Sequence, residues 1–283
     1  MQLRVTKARV AVAGALLALG GVGAGLAIAQ SPAPTLTVHA SPTAVTIDAA
    51  GPLPAGPTKF NFVRPAAKTT LDAYVFVLVP GVSIDQLAQT LRREDNTDSE
   101  SALGLLSIQA STTLTPGDTE QAVTFNVKPG LTYYIAVEQE VNKGAVPRAF
   151  GTFTSGATGS GAAAPAPTAT VRMQGLRFRG ASTLPRNGVV RFENRDGVAH
   201  FALAFPVRKG TTRAKLGKAL RSSSQSAFGK LVAGNPYMAQ NIISGGDTTD
   251  YQEVSFAKKG KYALVCFIEG HDQLGMYRIV TVK

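Results

Sequence analysis

The residues of this chain best suited to chemistry lie near its C-terminus, where Cys266, His271 and Met276 follow one another at the spacing Cys-x4-His-x4-Met. A thiolate, an imidazole and a thioether form a soft donor set, and the apolar runs that bracket them, 262–268 and 276–282, read as strands. A sheet holds its strand ends in place, so a tight loop between two of them can turn all three donors into one pocket. A fourth donor has to come from elsewhere in the chain, and His200 opens the apolar run 200–206 just after the turn-rich stretch 194–199. Two imidazoles, one thiolate and a long axial thioether are the ligands of a trigonal copper site used in electron transfer: sulfur favours Cu(I), and imidazole suits both oxidation states.

Taken singly, each donor has an ordinary reading. A lone cysteine is most often an inert buried thiol, a histidine at a strand start is often a satisfied core residue, and methionine fills gaps in cores. The ordered spacing, in a chain with an export signature, favours a metal site. Arg4, Lys7 and Arg9 precede the uncharged run 10–28, and Ala27-Ile28-Ala29 offers small residues for cleavage. Residues 1–29 therefore read as a signal peptide, with an uncleaved anchor as the alternative, and the mature protein is expected outside the cytoplasmic membrane with no span of its own. One cysteine cannot close an intramolecular disulfide, so in an oxidising compartment the thiol needs another purpose.

The elements that must position these donors come in two sets. Residues 154–169 carry no charge and no large apolar side chain, which reads as a flexible linker between domains at 35–153 and 170–283. On either side the same plan recurs. An apolar run reaching Pro80 precedes a helix with Ser83 and Gln86 as a capping box, and the run 200–206, ending at Pro206, precedes a second short helix. The runs 122–125 and 130–137 are matched by 253–256 and 260–266. Many short strands at this spacing predict an all-β chain of two β-sandwich domains, each with a short helix in one connection. On this analogy about Tyr74 takes the place of His200 and about Val137 that of Cys266, so the N-terminal copy has no metal ligands.

The C-terminal segment resembles the copper-binding end of the cupredoxins, small blue copper proteins of the plastocyanin and rusticyanin kind. The resemblance implies a Greek-key sandwich with one mononuclear type 1 copper, held by His200, Cys266, His271 and Met276, with His271 nearest the surface and Phe267, Ile268 and Leu274 as an apolar rim. The sequence departs from the family pattern where many members place a polar residue after the strand histidine; here it is Phe201. The stretch 222–246 is also longer than a minimal member needs.

The function that follows is that of an exported one-electron carrier; copper storage or delivery, and a metal-free interaction module with a vestigial site, are the alternatives. Apart from His200 and His271 only His39 remains, too few imidazoles for the second copper centre of a multicopper oxidase or nitrite reductase, so no enzyme is expected. Neither a Gly-x-Ser-x-Gly elbow nor a His-Glu-x-x-His helix is present. Charge divides sharply: residues 30–160 hold 8 Lys+Arg against 11 Asp+Glu, a balance of −3, and residues 161–283 hold 18 against 7, a balance of +11. A basic C-terminal domain suits an acidic redox partner protein or an anionic cell-envelope surface. Export and the scarcity of interleaved aromatics argue against nucleic acid.

Overall fold

Alternation of apolar and polar residues sets the strands, as in Thr35–Ser41, where Leu36, Val38 and Ala40 are buried and their neighbours are not. The computed structural model describes residues 31–49, 51–94, 100–139, 149–222, 224–234 and 236–283. The expected signal peptide, 1–29, lies outside them. The N-terminal unit contains β1 (Thr35–Ser41), β2 (Ala44–Ile47), β3 (Leu53–Val63), β4 (Leu71–Leu78), α1 (Ile84–Glu94), α2 (Glu100–Leu103), β5 (Leu106–Leu114), β6 (Glu120–Val127), β7 (Thr132–Gln139) and β8 (Ala149–Gly159). The C-terminal unit contains β9 (Ala169–Met173), β10 (Phe178–Gly180), β11 (Thr183–Leu184), β12 (Asn187–Asn194), β13 (His200–Pro206), α3 (Arg213–Arg221), α4 (Gln225–Gly229), β14 (Tyr237–Ile243), β15 (Thr248–Ser255), β16 (Gly260–Val265), α5 (His271–Leu274) and β17 (Tyr277–Val282). Among the described residues no helix is long and apolar enough to cross a membrane.

In the C-terminal unit, β10, β9, β12 and β15 form one layer and β11, β17, β16, β13 and β14 the other. After β14 the chain crosses to the first layer for β15 and returns as β16, which lies between β13 and β17. This is a Greek-key β-sandwich. The N-terminal unit repeats most of these pairings, the parallel pairs β11–β17 and β3–β8 being the exceptions. The pairs β1–β2 and β9–β10 are antiparallel, β1–β3 and β9–β12 parallel, and β3–β6 and β12–β15 antiparallel. The antiparallel ladders β5–β4–β7–β8 and β14–β13–β16–β17 correspond in the same way. The expected cap forms on α1, where Ser83 Oγ accepts from the Gln86 amide at 3.1 Å. Thr212 caps α3 likewise, at 3.3 Å from Lys215 N.

The connector is shorter than 154–169. Residues 154–159 are the second half of β8, paired with β7 (Thr132↔Thr154) and with β3 (Leu53↔Ser155). Nor is the connector all that joins the units. β6 pairs antiparallel with β15 (Tyr251↔Thr124), so one sheet runs through both. Beside it β5 faces β14 across a polar seam. Ser111 Oγ donates to Ile242 O at 2.5 Å, and Ile108 N donates to Ser244 Oγ at 2.8 Å. Asn241 Nδ2 bonds Thr113 Oγ1 at 2.9 Å and Asp72 Oδ1 at 3.0 Å.

The stretch 222–246, which reads in the sequence as a long connection, holds α4 and β14. β14 escapes pattern recognition because Gln240 and Asn241 are buried along with their apolar neighbours, and β5 does so through Gln109, Ser111 and Thr112. Ser111 and Asn241 spend their side chains on the seam between the units, while Gln109 and Gln240 bond within their own units.

Candidate metal centre

Two strands and one tight loop bring the expected donors together. His200 is the first residue of β13 and Cys266 lies one residue past β16; both side chains are fully buried. From Cys266 the chain makes a loop and returns as β17. Cys266 N donates to Met276 O at 3.1 Å and Met276 N to His271 O at 2.8 Å, which closes the loop on itself. Inside it, the single turn α5 is bracketed by Gly270 and Gly275, both in the left-handed region at φ 78° and 106°. At Gly275 a side chain has no room either, because the Arg177 guanidinium, which donates to Leu274 O, occupies the space where a Cβ would go.

The loop holds the half-buried His271 over the other donors. His200 Nδ1 lies 3.2 Å from His271 Nδ1, and Cys266 Sγ lies 3.6 Å from the same nitrogen. One ligand atom from each of His200, Cys266 and His271 falls within a 4.8 Å group. Donors about 2.0–2.3 Å from a shared ion, spread trigonally or tetrahedrally, stand roughly 3.3–3.8 Å apart. The two separations from His271 Nδ1 are close to that scale, so the three residues together form a donor set that a metal ion could occupy. Met276 is fully buried in the apolar core that also contains Cys266. His39 stays apart, exposed on β1 and bonded to Asp48 at 2.9 Å.

The surroundings fix the donors' chemistry. His200 Nε2 lies 2.8 Å from Asp196 Oδ2, and Asp196 also accepts the amides of Gly175 and Leu176 at 2.6 and 3.1 Å. Burial works against the Asp196 carboxylate, but those amides and the His200 ring outweigh it and hold it below its usual range. Burial lowers His200 despite the Asp196 bond, with His271 adding to the effect, and burial likewise lowers His271 against the pull of Asp196 and Asp272. Both rings are therefore neutral imidazoles near pH 7. Burial pushes the Cys266 thiol up to about 11, against the backbone amides of Phe201 and Ile268, which point at the sulfur. A metal taken up here as a thiolate complex would have to displace that proton.

Asp196 and Asn194 are functional neighbours that the sequence analysis passed over. Buried Asn194 donates to Val198 O at 2.8 Å and Ile243 O at 3.1 Å, while its Oδ1 accepts from Asp196 N at 3.1 Å. The Asn-x-Asp turn thus stiffens the approach to His200. A carboxylate four residues before a strand histidine was the available signal. Phe201, which departs from the family pattern in its side chain, serves the site through its amide.

Two expectations need correction. Ile268 is not part of an exposed rim. It is half-buried, packed on the C-terminal core and on a second cluster that contains Phe76, Leu106 and Ile108 of the N-terminal unit together with Phe201. Phe267 and Leu274 remain exposed, at 39% and 61%. The counterpart of His200 is Leu71 rather than Tyr74. Leu203 pairs with Val265 across the C-terminal ladder and Tyr74 with Ala136 across the other, so once Val137 is placed on Cys266, Leu71 falls on His200. Alignment by proline misleads because Pro206 ends β13 whereas Pro80 lies two residues beyond β4.

No protein-family model matches the chain, and no curated protein matches it. Solved structures similar to it include auracyanin B (22% identity, TM-score 0.27, over 43% of this chain and 93% of that one). Auracyanin A of Chloroflexus aurantiacus, a "blue" copper protein, aligns at 20% identity and TM-score 0.25 over 40% and 96%. The Cu-containing nitrite reductase of Thermus scotoductus aligns at 15% and 0.24 over 89% and 68%.

Proposed function

We propose that this chain binds one copper ion through His200, Cys266, His271 and Met276, as a type 1 centre of the cupredoxin kind, and carries single electrons outside the cytoplasmic membrane. The observation that supports this is the convergence of His200 Nδ1, His271 Nδ1 and Cys266 Sγ within 4.8 Å in a pocket closed by a self-bonded loop. Bound copper would supply a one-electron couple. The chain's own part is to present two neutral imidazoles and one sulfur in a fixed cage, to which the buried thioether of Met276 would add a fourth donor, and to keep water from His200 and Cys266.

On the surface, Phe267 is held by edge-on contacts with Phe205 and Phe228 at 5.9 and 5.8 Å, and Leu274 of the same loop is exposed. These two form the apolar contact for a redox partner, and the +11 balance of residues 161–283 steers an acidic one. In this reading the N-terminal unit is a buttress, since its apolar cluster includes Phe201 and Ile268, whose amides face the sulfur.

Voltammetry of the copper-loaded protein tests the carrier role: a reversible one-electron wave is expected, with exchange to an anionic partner slowing as salt is raised. Tight Cu(I) binding without a reversible wave would instead mean storage or delivery, and exchange insensitive to salt would remove the steering.

A further inference from the structure

A second site lies behind the metal loop. Arg177 precedes β10, Arg179 lies within it, Arg213 begins α3 and Arg278 sits in β17, and these four arginines line one cleft of about 470 Å³ together with Phe178 and Tyr277. That volume falls within the range of small-molecule sites, roughly 300–1,000 Å³. No carboxylate lines the cleft, and among the described residues none of the four arginines forms a salt bridge. The contrast with the other basic cluster is direct: Arg172, Arg191 and Arg195 all pair with Glu193.

Three of the four guanidiniums of the cleft are held by contacts of their own. Arg177 donates to the carbonyls of Leu176 and Leu274, Arg179 Nε to Gln174 O at 3.2 Å, and Arg213 lies over the Tyr277 ring at 5.6 Å. Tyr277 is fixed in turn, with its hydroxyl filling the space over Gly217 of α3. Pre-positioned planar forks with free N–H groups match tetrahedral oxyanions.

We infer that the cleft between β10, α3 and β17 is a binding site for the phosphoryl or pyrophosphoryl group of a small molecule, held by Arg177, Arg179, Arg213 and Arg278. Its walls include Tyr277 and Arg278, which follow Met276 directly, and Arg177, which is bonded to the metal loop.

The test uses the metal-free full chain, titrated with inorganic pyrophosphate by calorimetry and thermal melting, with sodium chloride at matched ionic strength and citrate as parallel arms. Saturable pyrophosphate binding with a raised Tm is expected, weakened at least tenfold in R213Q/R278Q. The same double variant, relieved of repulsion, is expected to melt no lower than the wild type without anion. The single variant R179Q, whose side chain is exposed, should weaken binding whatever the double variant does to the fold. Equal shifts with chloride, or unchanged affinity in R179Q and R213Q/R278Q, would overturn the site, and stronger binding of citrate than of pyrophosphate would overturn the phosphoryl assignment.

Discussion

His200 Nε2 and Asp196 Oδ2 stand 2.8 Å apart, and this bond decides which nitrogen of a buried ring is left for a metal. With the Nε2 proton donated to the carboxylate, the Nδ1 lone pair faces Cys266 and His271. In Asp196→Asn the amide can donate to Nε2 instead, which would put the proton on Nδ1 and block the donor. Copper affinity is expected to fall by about 10–100-fold, the usual cost of losing such an outer partner. A competition titration against a chelator reads this, and unchanged affinity would contradict the role assigned to Asp196.

The two sandwiches should unfold together. The β6–β15 ladder and the seam of Ser111, Asn241 and Asp72 place buried hydrogen bonds across the boundary, and removing one partner leaves the others unsatisfied at about 1–3 kcal/mol each. Calorimetry of the metal-free chain should show one transition, and Asn241→Ala should lower it without splitting it. Two well-separated transitions in the wild type would show independent domains.

Asp250 makes stability depend on pH. It is fully buried between the amides of Gln240 and Gln252, at 3.0 and 2.8 Å, with Asp72 reached through Asn241 beyond them. Burial raises it from 3.8 to about 7 against those two donors. Between these values the folded chain holds a proton that the unfolded chain has released. The stabilising effect is therefore complete below the unfolded value and is lost as pH rises through about 7, by on the order of 4 kcal/mol. Among the described residues Asp250 Oδ1 and Gln240 Oε1 are buried acceptors without partners, so a proton on the carboxyl supplies a donor that the group lacks. Thermal melts from pH 5 to pH 8.5 should fall more steeply for the wild type than for Asp250→Asn, and parallel curves would refute the assignment.

Gly275→Ala should damage the site more than its size suggests. The residue sits at φ 106° with the Arg177 guanidinium in the way of a Cβ, so the strain costs about 1–3 kcal/mol and is delivered between His271 and Met276. Lower Tm and weaker copper binding are expected together; a variant that keeps both would mean that the loop tolerates movement.

Much of the donor arrangement was legible in the sequence because it is local: Cys266, His271 and Met276 share one loop, and His200 opens a strand whose apolar run is plain. The internal repeat was legible for the same reason. What escaped depends on surfaces meeting far apart in the chain. β5 and β14 look like polar connections until each is seen to hydrogen-bond the other's unit, and Ile268 looks like rim until the N-terminal cluster covers it. The small residues of 154–159 read as linker although they pair as strand with β7 and β3. Asp196 was overlooked because a carboxylate in an Asn-Arg-Asp-Gly turn has a sufficient local explanation.

The central claim is tested most directly by the visible absorption of the full chain given one equivalent of Cu(II). An intense blue colour from sulfur-to-copper charge transfer is expected, saturating at one copper per chain and absent from Cys266→Ser that remains folded. A colourless mixture, or a blue colour that survives Cys266→Ser, would contradict the account.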